Sequence, residues 1–340
     1  MAILLCCPAV AAGEQFAPQP LFASHDTLAV RITAPLAAIQ RERDSGDYHD
    51  GTFEFQDVSG TPHILDLKLR ARGNYRRRAD TCRFPPIRLN FRKSQVDGGL
   101  FDGQDKLKLV THCHLQNTRY EQFILKEYLA YRILNELTDK SFSVRLLRIQ
   151  WVDTDSPQDS VERYGFLIED DDRLADRLGY DAVDSPGISP TELDPDHAAS
   201  VAAFQYLIGN TDYSLIRGTA EDGCCHNAVL LGKGDQRYLS VPYDFDFAGL
   251  VNAPYAEPNP SLRIRSVRTR LYRGYCDVND ALEPALQTLR GKRTDILALI
   301  RQQEGLDDRS RDQSLRYVED FYKAIDKPAT IKRRMLSRCI

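Results

Sequence analysis

Four side chains in the second half of the chain have the types and spacing for chemistry: Asp212, Asn227, Asp244 and Asp246. Asp212 closes Gly209-Asn210-Thr211-Asp212, directly after the apolar helical run 201–208. Asn227 follows Cys224-Cys225-His226 and opens a predicted β-hairpin, 228–231 and 238–241, turned by Gly232-Lys233-Gly234-Asp235. That hairpin delivers Pro242-Tyr243-Asp244-Phe245-Asp246-Phe247. An acid at a helix end, an amide at a strand start and acids after the next strand can converge on one mouth. Such a set offers one carboxylate to orient a hydroxyl and oxygen ligands for a hard cation, the equipment of phosphoryl transfer. Taken singly, Asn-Thr-Asp also reads as a helix C-terminus with its turn, and Tyr-Asp-Phe-Asp as a strand end with capping acids.

The elements that must position these groups can be read upstream. β-Branched content predicts a strand at 28–33, alternation of apolar and polar residues predicts strands at 52–56 and 64–70, and further strands read at 87–91 and 107–110. Between two of them lies Arg70-Ala71-Arg72-Gly73-Asn74-Tyr75-Arg76-Arg77-Arg78, within a stretch that holds ten Lys or Arg residues from Lys68 to Lys93. A glycine-bearing basic turn between strands can wrap phosphates through backbone N–H groups and guanidinium forks. It reads equally well as a solvated basic loop. Apolar spacing from 117 to 137 predicts a helix that carries Glu121 and Glu127. Two strands, 143–152 and 162–168, come next, and Glu169-Asp170-Asp171-Asp172 leaves the sheet as a turn or helix start. Helices are expected at 280–303 and 308–326. The arginines Arg263, Arg265, Arg268, Arg270 and Arg273 either grip an acidic substrate or lie on the surface.

The order of these features resembles the CotH kinase family, atypical protein kinases named after a spore-coat protein. The residues that carry the resemblance are Arg72-Gly73-Asn74, Leu107-Lys108-Leu109-Val110 with Asn117 and Arg119, Tyr164 to Glu169, and Phe204 to Phe247, so that it covers roughly residues 65–250. It implies an α+β, two-lobed, atypical protein-kinase-like fold: a β-rich N-lobe over 24–169 with one long helix, and a mainly helical C-lobe over 170–340. It implies Asp212 as the catalytic carboxylate, Asn227, Asp244 and Asp246 as ligands of Mg²⁺ or Mn²⁺, and Arg72, Gly73, Asn74 and Glu127 around the phosphates of ATP. The acceptor would be a hydroxyl, a protein Ser or Thr or a sugar. The family often carries lysines before the strand that here reads Phe84-Pro85-Pro86-Ile87-Arg88. Arg88, Arg72 or Lys108 must then serve the phosphates, and spacing does not choose among them. Fourteen residues separate Asp212 from Asn227, a long excursion that includes Glu221 and Asp222 and must fold aside.

Two other classes compete. Asp244-Phe245-Asp246 after an apolar strand also suits a metal-dependent glycosyltransferase, which would require a Rossmann-like first half. A non-catalytic binding or assembly module is the third reading.

Composition sets the outer bounds. The 340 residues are 42% apolar and 28% charged, with a formal net charge of −4, as expected of a folded globular chain with no general drive toward nucleic acid. No run has the length of a membrane-spanning helix. Residues 1–12 resemble the end of a secretory signal, and 13–23, with Pro18 and Pro20, read as a linker. Past residue 12 six cysteines remain, which suits a secreted or periplasmic location. The expected pairs are Cys82 with Cys113, and Cys224 or Cys225 with Cys276.

Overall fold

The structure, a computed structural model, describes residues 19–218 and 223–340. The signal-like segment, the start of the linker, and Glu221 and Asp222 lie outside the described residues.

The first half of the chain builds seven strands: β1 (Leu28–Ala34), β2 (His49–Gln56), β3 (Pro62–Ala71), β4 (Ile87–Phe91), β5 (Lys106–Val110), β6 (Val144–Asp153) and β7 (Ser156–Ile168). They close into a barrel in the order β1-β2-β3-β4-β5-β7-β6. Six of the neighbouring pairs are antiparallel. With an odd number of strands, closure then requires one parallel pair. That pair is β1 with β6, running from Leu28 opposite Leu147 to Ala34 opposite Asp153. Two short helices, α1 (Leu36–Arg41) and α2 (Lys93–Val96), sit in its connections.

Barrel closure overturns the two-lobed, kinase-like architecture that the resemblance implied, while the α+β class stands. Alternation reveals which face of a strand is apolar, but the neighbour that a strand chooses is a long-range matter that no local pattern encodes.

The strand pattern explains how the barrel supports anything outside itself. Inward residues such as Phe53, Leu69, Leu89, Leu107, Ile149 and Trp151 fill the barrel. On β6 and β7 the alternate residues Val144, Leu146, Phe166 and Ile168 are buried as well, on the outer face. They pack under α3 (Glu121–Leu137), the long helix expected from the spacing. Strands buried on both faces lose their simple alternation. A second apolar core therefore forms between this outer face, α3 and the later helices.

Those helices are α4 (Asp171–Leu178), α5 (Pro195–Ile208), α6 (Leu282–Gly291), α7 (Arg293–Gln302), α8 (Asp308–Ile325) and α9 (Pro328–Arg334). The single helix expected over 280–303 is thus two, α6 and α7. α5 starts on a full set of signals: the Asp194 carboxylate accepts from the His197 backbone N–H at 2.8 Å, and Pro195 occupies the first turn. It stops at Gly209, whose φ of 67° is left-handed and where a Cβ would collide with the Tyr317 hydroxyl. A three-stranded sheet, β8 (Asp181–Ala182), β9 (Ala228–Gly232) and β10 (Leu239–Pro242), contains the expected hairpin, with Ala228 opposite Pro242.

Candidate functional site

Asp212 and Asn227 are brought together by the end of α5 and the start of β9. Past Gly209, the Asn210 side-chain oxygen accepts the Asp212 backbone N–H at 2.9 Å, folding the chain back immediately after α5. The Asn227 amide donates to the Asp212 carbonyl at 2.7 Å and to carboxylate Oδ2 at 3.1 Å. His226 Nε2 lies 2.8 Å from the other oxygen, Oδ1. The carboxylate bond raises the His226 pKa above its ordinary value, against the effect of burial. Asp212 is held from both sides and keeps about a third of its side chain exposed, at 35%.

Asp244 and Asp246 follow β10. Asn227 at φ 53° and Asp244 at φ 61° are both left-handed, a costly backbone state for residues other than glycine. Two bonds hold this turn: the Tyr243 N–H donates to the Asn227 carbonyl at 2.9 Å, and the Asp244 N–H donates to the Tyr131 hydroxyl at 2.8 Å. The chain then returns to the end of α5, where Gly249 N donates to Gly209 O at 3.1 Å and Leu250 N to Ile208 O at 2.9 Å. This return lays the chain after the 244–246 turn against the end of α5, and the charge of Asp244 acts on His226, the partner of Asp212.

Asp246 is buried, and its carboxyl is pushed well above the usual range, first by burial and then by the charges of Asp244 and Glu127. Glu127, on α3, is 2% exposed. Burial raises its carboxyl to about 8, with Arg76 pulling the other way and Asp244 adding repulsion. Burial works against the charge on Arg76, yet Tyr255, Glu127, Asp246 and Asp244 together hold it above the ordinary guanidinium range. Arg76 Nη1 stands 3.6 Å from Glu127 Oε2, beyond a hydrogen bond, and that oxygen is buried without a hydrogen-bond partner among the described residues. An unsatisfied buried carboxylate oxygen beside two further acids is an expensive arrangement for stability alone.

The cationic wall is made by the barrel. Arg88 on β4 and Lys108 on β5 are direct cross-strand partners, and Lys108 also stands opposite Ile168 on β7. Leu107 and Leu109 point inward, so alternation turns Lys108 outward, where its ammonium lies 4.7 Å from the centre of the Tyr243 ring. Lys108 bonds Asp171 at 2.7 and 2.9 Å, and Arg88 reaches Asp170 at 3.9 Å. Burial lowers the Lys108 pKa, with Asp171 opposing. Arg72, just past β3, is likewise lowered by burial and held up chiefly by Asp244.

Of the residues expected at the site, the geometry gathers Asp212, Asn227, Asp244, Asp246, Glu127, Arg72, Lys108 and Arg88. Gly73 and Asn74 are exposed. The φ of 82° at Gly73 explains the glycine as a turn residue, and a Cβ there would meet nothing within 4 Å. Sequence reasoning missed His226, Arg76, Tyr131, Tyr255 and Asp171. One signal was available: Tyr131 lies four residues after Glu127, hence on the same face of α3.

A divalent cation was expected at this donor set. Among the described residues, no three His, Cys, Asp or Glu side chains form a metal-holding group. The expected set of Asn227, Asp244 and Asp246 is two carboxylates and an amide, which phosphate oxygens and water normally complete for Mg²⁺. One buried oxygen of Glu127 makes no hydrogen bond among the described residues, and burial raises the Asp246 carboxyl against the pull of Arg76.

The other expectations divide. Cys82 pairs with Cys113 as anticipated, tying the far side of the basic loop to the segment that follows β5. Cys224 pairs with Cys225, and Cys276 with Cys339, which corrects the expected bridge between the 224–225 pair and Cys276. The C-terminus explains the change: Cys276 N donates to Ile340 O at 3.1 Å and Ile340 N to Gly274 O at 3.0 Å, laying Cys339 beside Cys276. Of the five arginines, Arg273 donates to Thr211 O and Tyr213 O, Arg270 to Leu207 O and Tyr317 O, and Arg268 to Gly249 O, so these three brace the chain around α5. Arg263 and Arg265 are exposed. Among the described residues no helix is long and apolar enough to cross a membrane.

No family model matches the chain, and no curated protein matches it.

Proposed function

We propose that the chain transfers the γ-phosphoryl group of ATP to a hydroxyl, a protein Ser or Thr in first place, with Mg²⁺ or Mn²⁺ as companion ion. The observation that carries this reading is the meeting of two opposite sets of side chains. Asp212, Asn227, Asp244 and Asp246 come from the second half, while Arg72, Arg76 and Lys108 come from the barrel's outer face and its basic loop.

Each group has work suited to its surroundings. Asp212 keeps Oδ2 toward its amide neighbour and is fixed through Oδ1 by His226, so it can orient an incoming hydroxyl and accept its proton. The oxygen of that hydroxyl bonds to the γ-phosphorus as the bond to the bridging oxygen breaks, and ADP leaves. Arg72 and Lys108, partly stripped of water, face the negative charge of the phosphates in a low-dielectric setting. Asn227, Asp244 and Asp246 would hold the divalent ion, which supplies charge neutralisation on the β- and γ-phosphates.

The glycosyltransferase reading asked for a Rossmann-like first half, and a β-barrel stands there. Cysteine pairs at disulfide distance support a secreted or periplasmic setting. The test uses ATP labelled at the γ-position with Mn²⁺ and a panel of protein and sugar acceptors. Labelled product from the wild type should fall by about a thousandfold with Asp212→Asn. Equal labelling by both proteins would remove Asp212 from the reaction.

A further inference from the structure

A second basic site lies away from these acids, where α5, α8 and the C-terminal segment meet. A cavity of about 550 Å³ opens there, within the size range of small-molecule sites. Its wall includes Arg270, Arg333, Arg334 and Arg338, with Asp320 as the one acid. Asp320 is taken by Lys323 at 3.0 Å. Arg333, Arg334 and Arg338 are exposed and make no side-chain hydrogen bond or ion pair among the described residues.

Arg270 differs from the other three. Its Nε and Nη2 are spent on the Leu207 and Tyr317 carbonyls, and its ring-stacked guanidinium sits 3.7 Å from the centre of Tyr317. Nη1 makes no hydrogen bond among the described residues, so one donor of a rigidly held guanidinium is unspent on a residue of the cavity wall. Tyr272 belongs to the same wall, and its buried hydroxyl also lacks a partner there.

Charges in the last turn of α9 also complement the helix dipole, which accounts for Arg333 and Arg334 on the surface. It does not account for Arg338, which lies beyond that helix, nor for a cavity whose wall draws on all four arginines. Arginine forks match phosphate oxygens in pairs, and four of them exceed what a single phosphate dianion balances.

We propose that this cavity binds a soluble ligand carrying two or more phosphate groups, separately from the candidate transfer site. Pyrophosphate is the probe, titrated calorimetrically in EDTA so that no divalent ion assists binding at the acidic cluster. Wild type and Asp244→Ala should bind it equally, and Arg334→Gln/Arg338→Gln at least tenfold more weakly, with unchanged thermal stability. No binding by the wild type, undiminished binding by the double variant, or loss of binding in Asp244→Ala would each overturn the proposal. The outcome is independent of whether the chain transfers phosphate.

Discussion

The inside of the barrel and its outer face at α3 are built from the same strands on opposite principles. Inside, Phe53, Phe91 and Phe101 meet edge to face at 5.1 to 5.5 Å, and Trp151 closes on Phe84 at 5.0 Å. These contacts are apolar ring packing, with the buried Trp151 Nε1 making no hydrogen bond among the described residues. Between the inward Leu107 and Leu109 of β5 the outer face carries Lys108, and α3 buries Glu127 with an unpaired oxygen. The same pleat thus separates a surface that stabilises from one that costs stability.

The sharpest way to break that contrast is to cut each side. Phe53→Ala should cost about 3–5 kcal/mol in denaturant melts, through lost burial and a cavity that the closed barrel cannot collapse. A cost below about 1 kcal/mol would mean that the barrel interior is not the stabilising core.

A second contrast concerns histidines buried in apolar surroundings. Burial lowers His197 to about 4 and His112 to about 3. The unfolded chain therefore takes up protons first, near pH 6.5. Their contribution is complete above that pH and is lost as pH falls toward 4, by up to about 3 kcal/mol for His197. His197→Gln should flatten the stability profile between pH 6.5 and 4 relative to wild type. Parallel profiles would refute the buried neutral state.

The smallest effect has the opposite sign. Glu127→Gln removes a buried carboxyl held well above its ordinary range, so stability at pH 7 should rise by about 1–2 kcal/mol. The same variant should bind nucleotide less well. A variant that is destabilised instead would show that the Arg76 pairing outweighs the burial of the acid.

Much of this was legible in the chain. The seven barrel strands followed from local apolar and β-branched patterning, and α5 from the apolar run ending at Gly209. What local pattern does not contain is the parallel match of β1 with β6, made across more than a hundred residues, and with it the closure that replaced an open two-lobed design. The acids of the candidate site were visible because Asp212, Asn227, Asp244 and Asp246 bracket a hairpin that was itself visible. Arg76, Tyr255 and His226 were not. Their roles depend on which way a loop turns after β3 and on which groups the folded chain sets beside a buried acid. Cys339 failed for the same reason, since only the docking of the C-terminus brings it to Cys276.

The central claim is that acids from the second half and cations from the barrel face form one nucleotide-phosphate site. The most direct measurement is thermal unfolding with ATP, with and without Mn²⁺, for the wild type and Asp244→Ala. A ligand that binds only the folded chain must raise Tm, and saturating ATP with Mn²⁺ should do so by about 5 °C in the wild type. The shift should require the metal and vanish in the variant. No shift with ATP under any metal condition, or one that survives Asp244→Ala unchanged, would contradict the account.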